Sequence, residues 1–116
     1  TYSSPQVASF GLTEQQARDK GRDVIIGKFP LIASGKALAL GETEGMVKLV
    51  TERTSGELLG AHLIGSEVTE LLWGASMTRM LEGTTLEMGG MVYSHPTLSE
   101  ALKEAALSAR GEAIHV

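Results

Sequence analysis

Cysteine is absent from this 116-residue chain. That excludes a disulfide framework, a Cys-ligated metal, a thiol nucleophile and a dithiol redox centre within it. Histidine is scarce as well. His62, His95 and His115 are the three, and they lack the local spacing of a zinc site, so no metal is expected. Cations are outnumbered, ten Lys and Arg against fourteen Asp and Glu, for a formal net charge of -4. Binding to phosphate backbones needs clustered cations, so no nucleic-acid partner is expected. No apolar run approaches the length of a membrane span and no signal-peptide pattern opens the chain, so the expectation is a cytoplasmic protein with no membrane partner. An initiating Met is also lacking, which fits a processed chain or a fragment, and fragment is the preferred reading.

What is present is ordinary for one globular domain spanning residues 1–116: 42% hydrophobic and 21% charged residues. Val7, Ala8 and Phe10 suggest a strand within residues 2–10. Thr13 to Gln16 matches a capping box, and Gly21 supplies a left-handed stop to the helix that follows. Val24, Ile25 and Ile26 mark a second strand over 23–29. Residues 31–45 hold three glycines and few long charged side chains, and read as a surface loop, extended at most over 37–40. The clearest hairpin pairs 46–51 with 57–64 around Thr54-Ser55-Gly56, and Gly60 inside its second strand signals a bulge or a close backbone approach. Gly56, Gly60 and Gly65 do not have the spacing of a dinucleotide fingerprint.

Helices dominate the second half. Ser66 is the expected N-cap of a helix with two apolar stripes, one of Val68, Leu71, Leu72 and Ala75, the other of Trp73, Met77 and Met80. A surface helix of a monomer needs one stripe. Either the second faces a partner, or the whole helix is buried. Thr84 to Glu87 matches another capping box, for a short helix that Gly89-Gly90 interrupts. Residues 98–110 form the last helix, with Leu102, Ala105, Ala106 and Ala109 on one face and Gly111 as its stop. Strands grouped ahead of helices predict an α+β domain, an antiparallel sheet with helices packed on one side.

One stretch looks built for chemistry: His95-Pro96-Thr97-Leu98-Ser99-Glu100. Imidazole titrates near neutral pH, and a carboxylate on one ring nitrogen fixes the tautomer and stabilises the imidazolium. Glu100 is the candidate carboxylate, and Pro96 is a candidate cis residue. Thr97-Leu98-Ser99-Glu100 is equally a capping box, in which Glu100 only closes a helix start. The two roles compete for one carboxylate. Nothing in the chain supplies a proton donor for the pair. His62, between Ala61 and Leu63, is assigned a packing role, and His115 none.

The sequence resembles the C-terminal dimerisation domain of the pyridine nucleotide–disulfide oxidoreductases, in particular the dihydrolipoamide dehydrogenase branch. The resemblance runs through Pro5-Gln6-Val7-Ala8-Ser9, Gly27-Lys28-Phe29-Pro30, the stretch from Ala37 to Gly45, Gly60-Ala61-His62-Leu63-Ile64-Gly65, His95 to Glu100 and Glu104-Ala105-Ala106. It implies a homodimer in which His95 acts as acid/base in the partner subunit's active site, oriented by Glu100, during oxidation of dihydrolipoamide. FAD, NAD and the redox cysteines would belong to two preceding domains absent from this chain, so the isolated domain is expected to be inactive and to bind no cofactor. A further partner is the acyltransferase of the 2-oxo acid dehydrogenase complexes. Tyr93 departs from the family, where a second histidine often stands. Two other readings remain: a glutathione reductase-like parent, whose members share His95-Pro96-Thr97 but differ around Leu98-Ser99, and a stand-alone interaction module.

Overall fold

The structure is a computed structural model and describes residues 2–115. Its centre is a four-stranded antiparallel sheet in the order β1-β4-β3-β2, formed by β1 (Gln6–Gly11), β2 (Val24–Pro30), β3 (Met46–Glu52) and β4 (Leu58–Gly65). The β3–β4 hairpin turns where predicted, with Gly56 at φ +75°. Both readings of Gly60 hold. The register slips between Val50 and Thr51, opposite Gly60, and a Cβ at Gly60 would stand 2.0 Å from the Leu12 carbonyl oxygen.

Alternation along the strands sorts the two faces. Val47 and Leu49 of β3, Ala61 and Leu63 of β4, and Phe29 of β2 join the main core. There they meet α3 (Val68–Met80), α4 (Thr85–Gly90) and α5 (Glu100–Ala109) through Val68, Leu71, Met88, Leu102 and Ala105. Helix α5 is alanine-rich toward the sheet and can therefore sit close. At Gly27 of β2 a Cβ would lie 2.1 Å from the Ala105 carbonyl oxygen. The opposite face carries a small second cluster of Ala17, Val24, Val50 and Leu59 under α1 (Glu14–Asp19). The expected α+β architecture is thus present, with α1 as one helix on the far side of the sheet.

The predicted loop over 31–45 is a correction. Leu31–Ala33 forms a 3₁₀ turn and α2 (Gly35–Leu40) is helical, not extended. Ser34 caps it through Oγ, accepting the Ala37 N–H at 3.2 Å, and Gly41 closes it at φ +73°. Lys36 to Leu40 is a run of good helix formers, and the caps outweigh the glycine content. Ser66 likewise does not cap α3. Glu67 occupies that position at φ +61° with no side-chain cap.

The two stripes of α3 resolve clearly. Val68, Leu71 and Ala75 are buried, whereas Trp73 is 64% exposed and Met80 80%. A fully buried helix is excluded. Arg79 anchors the far end, donating to the Leu58 and Leu59 carbonyls at 2.9 Å each. Of the four methionines between 77 and 91, only Met88 is core.

Candidate functional site

The segment from Met91 to Ser99 connects α4 to α5, and its own hydrogen bonds shape it. Tyr93 is half-buried and its hydroxyl donates to the Met88 carbonyl at 2.8 Å. Burial pushes its phenol up to about 12. The Thr97 hydroxyl donates to the Ser94 carbonyl at 2.7 Å, folding the chain around the cis peptide between His95 and Pro96. Helix α5 then begins at Glu100, two residues later than expected, with no side-chain bond from Ser99.

Glu100 performs both of the roles that sequence spacing set against each other. Its Oε1 lies 2.9 Å from His95 Nδ1 and its Oε2 3.1 Å from the same nitrogen. That Oε2 also accepts the Thr97 N–H at 3.0 Å. A carboxylate has about four acceptor sites, so the imidazole and the helix start share it without conflict. The cap is half a box, because the Thr97 hydroxyl is turned to Ser94. Burial pushes the Glu100 carboxyl up, but the Thr97 N–H and the His95 ring together more than offset this and hold it below the usual carboxylate range.

With Nδ1–H donating to Glu100, the Nε2 lone pair of His95 is left as an acceptor. The side chain is 74% exposed, and Nε2 has no partner among the described residues. The arrangement leaves one imidazole nitrogen open to solvent while Glu100 holds the ring from behind through the other. It can take a proton from a group that approaches from solvent or from another chain.

The other histidines do different work. His62 Nε2 lies 2.9 Å from the Leu12 carbonyl oxygen, tying β4 to the β1–α1 connection, in keeping with a structural role. His115, to which the sequence gives no role, donates its backbone N–H to Glu104 Oε2 at 3.2 Å. Glu104, 3% exposed, is the polar residue that sequence reasoning missed. A glutamate between Leu102 and Ala105 on an otherwise apolar face was the available signal. Among the described residues, no group of three or more His, Asp or Glu is placed to hold a metal, and no helix is long and apolar enough to cross a membrane.

Residues 1–106 match the family described as the pyridine nucleotide-disulphide oxidoreductase dimerisation domain. The dihydrolipoyl dehydrogenase of Zymomonas mobilis is 54% identical over 115 residues, covering 99% of this chain and 25% of that protein. The Bacillus subtilis dihydrolipoyl dehydrogenase is 51% identical over 114 residues, covering 98% and 24%. Among solved structures, the HOCl-induced flavoprotein disulfide reductase RclA from Escherichia coli gives a TM-score of 0.81 at 26% identity, over 85% of this chain and 23% of that one. LpdA from Mycobacterium tuberculosis gives 0.84 at 21% identity, over 90% and 23%, a likeness of fold. The chain spans about a quarter of the length of the curated relatives it matches.

Proposed function

This chain belongs to the dimerisation-domain family of the pyridine nucleotide-disulphide oxidoreductases, and from that membership we propose that it is the interface segment of a dihydrolipoyl dehydrogenase-type enzyme. In that role it lends His95 and Glu100 to the active site of a partner subunit. The observation that carries the proposal is the outward imidazole, bonded to Glu100 through Nδ1 and free at Nε2. High identity to dihydrolipoyl dehydrogenases over nearly the whole chain favours dihydrolipoamide over glutathione-type disulfides as the substrate.

The chemistry follows from the geometry. A thiolate is the nucleophilic form of a thiol. Nε2 of His95 accepts the proton of a substrate thiol, and Glu100 stabilises the imidazolium that results while keeping the ring in place. When the thiol must be regenerated, the same nitrogen returns the proton. This chain has no cysteine, so the thiol comes from the substrate and the disulfide that accepts its electrons lies elsewhere in the enzyme.

FAD and NAD do not fit this chain. It has no dinucleotide fingerprint. Those groups belong to the rest of the enzyme, a cytoplasmic homodimer. The dimer surface is the exposed stripe of α3, where Trp73, Met77 and Met80 recur at helical spacing with nothing over them in the described residues. The acyltransferase of a 2-oxo acid dehydrogenase complex is the further partner this role implies.

His95→Gln in the full-length enzyme carrying this segment tests the assignment. Loss of the base should lower dihydrolipoamide oxidation by roughly a hundredfold or more. An unchanged rate would return the pair to a purely structural role.

A further inference from the structure

Glu104 lies one helical turn beyond Glu100 on α5, so the two carboxylates project from neighbouring points of one helix face. Their surroundings differ. Glu104 is almost fully buried and has no Lys or Arg within ion-pair distance among the described residues. A buried carboxylate without a countercharge must collect hydrogen bonds instead. It takes them from the chain that follows α5. Oε2 accepts the backbone N–H of Ile114 at 3.0 Å and that of His115 at 3.2 Å, and Oε1 stands 3.9 Å from His115 Nε2.

The geometry bends the chain back. After Gly111, at φ +72°, residues 112–115 return along α5 and end against Glu104. Ile114 and His115 thereby form one wall of a cleft of about 270 Å³. His95 and Glu100 line the same cleft, as do Leu38 and Lys103. The side chains of Ile114 and His115 are largely exposed and contribute little burial of their own, so the backbone bonds to Glu104 are what hold this wall.

We propose that Glu104 is a positioning residue whose buried carboxylate clamps the segment at 114–115 beside His95 and so sets the width of the approach to the imidazole. The inference rests on the function proposed above, because the width of that approach matters only if a substrate comes to His95. Glu104 touches no substrate and moves no proton. Its effect is on how a substrate with a long apolar arm is accommodated, compared with a short one that needs no wall.

Two measurements test it. In the 116-residue chain, amide exchange at Ile114 and His115 should be slow, and should rise at least tenfold in Glu104→Ala. Glu104→Gln, which keeps an acceptor oxygen, should restore much of the protection. Because a change at a buried site can unfold the domain, the double variant I114P/H115P removes both N–H donors while leaving α5 intact. In the full-length enzyme this double variant should raise KM for dihydrolipoamide severalfold, leave kcat within about twofold, and leave both constants for dithiothreitol nearly unchanged. Unchanged amide exchange in Glu104→Ala would overturn the clamp. Faster exchange with an unchanged KM ratio between the two dithiols would overturn the wall. His95→Gln measured alongside separates the two ideas: if it retains full activity the proposed function fails, while the exchange result still stands or falls alone.

Discussion

Gln6, on the first strand, closes the N-terminus of a helix sixty-three residues away. Its Oε1 accepts the backbone N–H of Thr69 at 3.2 Å and the Thr69 hydroxyl at 2.7 Å. Helix α3 begins on a left-handed Glu67 with no cap of its own, so the edge strand supplies the acceptor that a neighbouring serine or threonine would provide elsewhere. Gln6→Ala should therefore lower the unfolding free energy by about 1 kcal/mol, the ordinary cost of losing an N-cap. Urea denaturation of the isolated chain measures it, and a loss near zero would mean that water replaces the cap.

Gly27 should tolerate nothing larger. Its missing Cβ is what lets the Ala105 carbonyl approach, at 2.1 Å from where a Cβ would stand. Gly27→Ala forces α5 off the sheet and should destabilise by about 1–3 kcal/mol or more, as overpacked cores do. Gly35→Ala is the control. A Cβ there has nothing within 4 Å and the backbone is helical, so the change should stabilise by up to about 1 kcal/mol.

Acid should weaken the fold through Glu100. Its carboxyl is held below the ordinary 4.5, so its charged form favours the folded state above that value. The contribution is lost as pH falls through the lower folded value. Glu14, bonded to Lys48 and Arg18, and Glu87, bonded to Thr84, shift in the same direction. Urea unfolding between about pH 6 and about pH 3 should show stability falling with pH, and Glu100→Gln should flatten part of the slope. Equal slopes in the two proteins would contradict it.

Alkali acts through Tyr93, whose phenol is raised by burial to about 12. A raised acid contributes stability that is complete below the ordinary value of 10.0 and lost as pH climbs through the folded one. Tyr93→Phe gives up the bond to the Met88 carbonyl and should be less stable at neutral pH. Its stability should then vary less between about pH 10 and about pH 12.

Self-association has a built-in reporter. Trp73 is the only tryptophan and is 64% exposed. If the α3 stripe is the dimer surface, emission should shift to the red on dilution, and Met77→Glu should give the red-shifted spectrum at every concentration. Met77 is 51% exposed, so its substitution should move monomer stability by no more than about 0.5 kcal/mol. An unshifted emission together with a dimer in sedimentation would place the dimer contacts elsewhere.

How much of this was readable depended on distance along the chain. The capping boxes at Thr13 and Thr84 and the turn at Gly56 are written in four-residue windows, and each formed as expected. Helix α2 was obscured because its glycines flank it as first residue and C-cap, the positions where they do little harm, while their number suggested a loop. The Gln6–Thr69 cap and the Glu104 clamp join residues whose proximity only the folded sheet and the return of the chain after α5 create. For His95 and Glu100 the spacing was legible and the choice between capping and imidazole binding was not. It was a false choice, since one oxygen binds the ring and the other binds ring and helix start together.

That shared carboxylate has a consequence for timing. The same glutamate fastens an aromatic ring and the first turn of a helix, so the ring loses its rotational freedom when the helix forms. Any group that approaches His95 encounters a side chain that has already stopped searching, and the entropy of aiming it was surrendered during folding, before any encounter began.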